Sequence, residues 1–84
     1  MKKYLFANIG GSDRAAVADY QTGKISVVYL ANGLWFFNDL SLSMEPDPSN
    51  GITPFDGYVN RFEEITQAQF QTFLSSFQTR LNSL

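Results

Sequence analysis

Two apolar runs, Ile25 to Ala31 and Leu34 to Phe37, flank the dipeptide Asn32-Gly33, and no other feature restricts the fold of this chain so tightly. Asn-Gly tolerates the positive φ angles of a type I′ turn, whose twist suits two antiparallel strands, so the arrangement predicts a two-residue β-hairpin. Along its strands the side chains alternate. Ile25, Val27 and Tyr29 share one face and Val28 and Leu30 the other, while Leu34 and Phe36 oppose Trp35 and Phe37. Both faces are therefore apolar, and both need cover.

The remaining strands are marked more weakly. Residues 3–9 read as a strand ended by Gly10-Gly11, and residues 14–20 as a second strand of small side chains whose larger apolar groups are Val17 and Tyr20. Gly23, in the turn Gln21 to Lys24, can take the positive φ that leads into a third strand over 25–31. The alternation Leu40, Leu42, Met44 extends the fourth strand to 34–43, with a bulge expected at Asn38-Asp39. Pro46, Pro48 and Pro54 with Asn50-Gly51 make 45–57 a folded-back loop, pinned to the body by Ile52 and Phe55. Residues 58–64 complete the strand set.

A helix over 67–82 is well signed. Thr66 can cap it and Gln69, three residues on, can close the capping box, with Ile65 stapling the start against Phe70. Phe70, Phe73, Leu74, Phe77 and Leu81 then recur at three- and four-residue spacings and fall on one face. The expected fold class is α+β: one compact domain over 1–84, with a small, mainly antiparallel sheet of four or five strands and one amphipathic C-terminal helix packed on one face. One helix covers only one side of that sheet. The other side is left to loop 45–57 or to a second protein surface.

Composition narrows the chemistry. Among 84 residues there is no histidine and no cysteine, which removes the commonest zinc ligands, the thiol nucleophile and the near-neutral acid-base group. Asp47, Ser49, Asn50 and Asp56 gather oxygen atoms in one loop but lack the alternate ligand spacing and terminal glutamate of an EF-hand. Glu63 and Glu64 are adjacent, so on an extended segment they point apart and do not form a catalytic pair. Ser75-Ser76 have no histidine to activate them, and Gly10-Gly11-Ser12 lacks both the P-loop lysine and the dinucleotide glycine spacing. Six basic residues against eight acidic ones are scattered, with no basic stripe for nucleic acid and too little negative charge to mimic it. No apolar run nears the roughly 20 residues of a membrane span. Behind Met1-Lys2-Lys3 the apolar run is only Tyr4 to Ile9, short for a secretion signal, which points to the cytoplasm.

These exclusions leave an expectation of a small soluble, non-enzymatic interaction protein without cofactor, metal or catalytic residues. Its partner is expected to be another protein or a second copy of the chain, held through Trp35, Phe37, Tyr29 and Tyr4 and with regulation or inhibition of that partner as its role. The alternative is a small-ligand or single-stranded nucleic-acid module using Tyr4, Tyr29 and Trp35 as a stacking platform.

Overall fold

The computed structural model describes residues 1–31 and 34–82, the side chains of Leu30, Trp35 and residues 77–82 excepted. The expected Asn32-Gly33 turn, the helical stripe at Phe77 and Leu81, and the Trp35 side chain thus lie outside the described residues. Strands β1 (Lys2–Ile9), β2 (Ser12–Asp19), β3 (Lys24–Ala31) and β4 (Leu34–Ser41) are followed by helix α1 (Pro54–Val59), strand β5 (Glu63–Ile65) and helix α2 (Gln67–Asn82). The strands form one antiparallel sheet in the order β4-β3-β2-β1-β5, an α+β architecture.

Several local expectations are corrected. Strand β2 starts at Ser12 rather than residue 14, because Gly10 (φ 61°) and Gly11 (φ 82°) complete a two-residue turn and let Ser12 pair with Ile9. The expected bulge is absent: Asn38 faces Val27 and Asp39 faces Ser26 in an unbroken register. Regular β4 pairing stops at Ser41 rather than residue 43, although the Leu42 N–H still donates to the Gly23 carbonyl at 3.0 Å. The segment read as loop 45–57 and strand 58–64 contains α1, and its strand shrinks to the three residues of β5. The helix start was legible in principle. Thr53 caps it by accepting the Asp56 N–H at 2.9 Å, and Pro54 occupies the first turn, where a missing N–H costs no helical bond.

Each face of the sheet has its own core. On one, Leu5, Ala16, Ala18, Ile25 and Val27 lie beneath Phe55 and Val59 of α1, with half-buried Tyr20, Tyr29, Leu40, Leu42, Tyr58 and Phe62 around them. On the other, Ala15 and Val28 lie against Phe70 of α2, joined by Tyr4, Val17, Ile65, Phe73 and Leu74. Ala15, Ala16 and Ala18 are each 0% exposed on the central strand, so the small residues of β2 are the floor of both cores rather than a weakly packed segment. Their size lets an aromatic ring descend onto the sheet from either side. The second face is therefore covered by α1 and its flanking loop, with Phe55 as the anchor, while Ile52, expected to share that role, stays 45% exposed. The capping box at α2 is complete: Thr66 Oγ1 accepts the Gln69 N–H at 3.1 Å and Gln69 Oε1 accepts the Thr66 N–H at 2.8 Å.

Candidate functional site

Among the described residues neither helix covers the whole sheet. At the β3–β4 end, Leu34 is 62% exposed, Phe37 71% and Phe36 40%, and across the sheet Ile9 is 42% exposed. Alternation along β4 puts Leu34 and Phe36 on the α1 side and Phe37 on the α2 side, so the end strand presents large apolar groups in both directions. Large exposed apolar groups gathered on one end strand mark a contact surface more often than scattered single residues do.

On the α1 side, Tyr29 stacks on Phe36 with ring centroids 5.4 Å apart and planes 19° from parallel. The register places Arg14 beside Tyr29, and the Arg14 guanidinium lies over the Tyr29 ring, Cζ 5.4 Å from its centroid. The buried Arg14 Nε has no hydrogen-bond partner among the described residues. Nearby, burial raises the Tyr58 phenol above its ordinary value of 10.0, with the positive charges of Arg14 and Arg61 acting in the opposite direction.

On the α2 side an apolar groove of about 190 Å³ runs between Phe70 and Leu74 of the helix and Phe37 of β4, floored by Ala15, Val17 and Val28. A larger hollow of about 340 Å³ lies beside α1, with Asp47, Asn50, Thr53, Tyr58 and Arg61 on its wall. Its carboxylate is already engaged. Asp47 accepts the Ser49 N–H at 2.8 Å and the Ser49 hydroxyl at 2.7 Å, and these bonds, the backbone one first, hold its pKa below the ordinary 3.8. Of the other oxygen-bearing residues considered for a cation, Asn50 accepts the Ile52 N–H at 2.9 Å and Asp56 sits in the first turn of α1. No three histidine, cysteine, aspartate or glutamate side chains among the described residues converge on a metal position.

The four residues picked from sequence do not share one surface. Tyr29 lies on the α1 side, whereas Tyr4 and Phe37 lie on the α2 side. Tyr4 packs against Phe70 at 5.3 Å between ring centroids and contributes to the core. Tyr29 is half-buried in its stack with Phe36, Phe37 is exposed, and the Trp35 side chain is outside the described set. The sequence reading passed over Leu34, Phe36 and Ile9 as contacts. The available signal was the unbroken run Leu34 to Phe37, in which four consecutive apolar side chains cannot all face one core.

No helix among the described residues is long and apolar enough to cross a membrane. The fold and its uncovered end together define a small α+β protein with two aromatic-anchored helices over one sheet. Comparison with models of protein families, with curated proteins and with solved structures finds no match to this chain.

Proposed function

We propose that this chain is a small non-enzymatic interaction module that binds a protein partner in the cytoplasm, regulating or inhibiting it through the uncovered end of the sheet. The observation that carries this reading is the exposure of Leu34, Phe36 and Phe37 in one four-residue stretch of the end strand. Apolar surface of this size gains about 25 cal/mol per Å² when a partner removes it from water, and aromatic groups are common anchors of such contacts. Tyr29 and Arg14 beside Phe36 add a stacked ring and a cation suited to a partner carrying apolar and acidic groups. The nucleic-acid alternative is less well supported, since Tyr4 packs under Phe70 and lies on the opposite face from Tyr29.

The test compares affinity-tagged wild type with the double variant Leu34→Ser/Phe37→Ser, both checked for an unchanged far-UV circular dichroism spectrum. A partner captured by wild type, purified and titrated against both proteins should bind the variant at least about tenfold more weakly. Equal binding of every captured protein by the two would overturn the reading.

A further inference from the structure

Resting on the interaction reading, we infer that the partner at β4 is a second copy of this chain, added strand to strand about a two-fold axis so that two five-stranded sheets become one of ten. β4 is the end strand, and among the described residues no strand pairs with its outer side. The Leu42 N–H to Gly23 carbonyl bond fixes the hydrogen-bond alternation of the hairpin. Residues in step with Leu42, namely Leu40, Asn38, Phe36 and Leu34, direct their main chain at β3, and those between them direct theirs outward. β4 is eight residues long and carries no proline, lysine or glycine, so it has none of the usual devices that block edge pairing.

Charge and symmetry select a second copy. Asp39 is the one charge on β4, and the opposite edge of the sheet is β5 with Glu63 and with Glu64, whose carboxylate lies 3.9 Å from the Lys3 ammonium, so that edge keeps a net negative charge. Joining β4 of one copy to β5 of another would set acid against acid, so growth into an open chain is disfavoured and a closed pair is favoured. Antiparallel pairing with Phe37 on the axis matches seven residues, about 24 Å of strand, and sets the two Phe37 side chains opposite one another. It also keeps the two Asp39 residues about 14 Å apart, beyond the screening length at physiological salt, whereas moving the axis by two residues to Asp39, a slide of four along the strand, would put them face to face. From an aromatic side-chain area of about 150–250 Å², Phe36 and Phe37 at 40% and 71% exposure together offer about 170–280 Å² per copy. Leu34 and the backbone strip add to this, against about 800 Å² per partner in a standard interface. The dimer is consequently weak and concentration-dependent.

Light scattering across a concentration series, from about 5 μM to about 1 mM, should show wild type rising from one chain mass toward two. Asp39→Pro removes an outward N–H and no bond to β3, and should raise the half-dimer concentration by at least about tenfold with the helical spectrum unchanged. Phe37→Lys provides the same loss should the proline disturb folding. Because the chain has no cysteine, Phe37→Cys places a single thiol on the axis, where opposite Cα atoms about 5.5 Å apart suit a disulfide, and mild oxidation should link two chains. Ser41→Cys, whose mates lie about 27 Å apart in this register, should not cross-link. Wild type monomeric throughout, a dimer unaffected by both Asp39→Pro and Phe37→Lys, or cross-linking at residue 41 in preference to 37 would each overturn the inference. A monomer that nonetheless binds another protein lost in Leu34→Ser/Phe37→Ser would overturn the self-pairing alone and leave the interaction reading standing.

Discussion

Replacing Phe55 by alanine should remove a large part of the stability of this protein. Its ring is 0% exposed, meets Tyr20 edge-on at 4.7 Å, and lies in the cluster of Leu5, Ala16, Ala18, Ile25, Val27 and Val59. Truncating a buried phenylalanine costs about 3–5 kcal/mol, and the upper part of that range applies where the surroundings cannot collapse into the space. Here the floor is alanine on a central strand hydrogen-bonded on both sides, which has neither the side-chain length nor the backbone freedom to fill it. For 84 residues the total stability expected is about 4–13 kcal/mol, so the variant should lose at least about a quarter of it and approach unfolding if the protein lies at the low end. Equilibrium urea denaturation followed by far-UV circular dichroism measures the difference. Ile52→Ala is the internal comparison: at 45% exposure it should cost only about 1 kcal/mol. A Phe55→Ala loss below about 1.5 kcal/mol, or one no larger than that of Ile52→Ala, would refute the assignment of Phe55 as the anchor of α1.

Two further outcomes follow from local geometry. Gly23 has φ +72° and a Cβ built there would stand 2.9 Å from the Leu42 carbonyl oxygen, which belongs to backbone and cannot swing aside. Gly23→Ala should therefore cost more than about 2 kcal/mol and more than Gly10→Ala, whose Cβ meets open space; equal urea midpoints for the two would show that the clash is relieved. Tyr58 concerns alkaline pH. Burial raises its phenol pKa in the folded state, so the folded protein holds that proton more tightly than the unfolded chain, and its effect on stability appears only as pH rises above about 10. Stability should then fall through the folded pKa, and Tyr58→Phe should show a shallower decline between pH about 9 and about 11.5 in thermal melts. Parallel curves for the two proteins would sink the argument.

Much of the fold was legible because its signals are local. The Thr66 and Gln69 capping box depends on residues three apart, and the positive φ at Gly23 on a side chain that is missing. α1 was hidden by a conflict between rules: Pro46, Pro48 and Pro54 read as breakers, although Pro54 directly after Thr53 is a helix start. The alanines of β2 misled for another reason. Hydrophobicity measures what a side chain offers, whereas Ala15, Ala16 and Ala18 matter for the room they leave to Phe55 and Phe70. The candidate site was half legible. The apolar run through β4 announced an excess, while the division of Tyr29 from Tyr4 and Phe37 by the plane of the sheet required the register between strands.

By itself the sequence determined that β-periodic segments are followed by a capped helix, and that both sheet faces need cover, because period, capping and turn chemistry act over a few residues. Only the tertiary structure decided how far each cover reaches. Tyr4 and Phe37 are both aromatic residues in strands on the α2 side, yet one lies against Phe70 and the other is 71% exposed. Nothing within either strand distinguishes them. Their fates separate because β1 lies under α2 while β4 ends the sheet beyond it, and the burial of a strand residue is set by what non-local packing places above it.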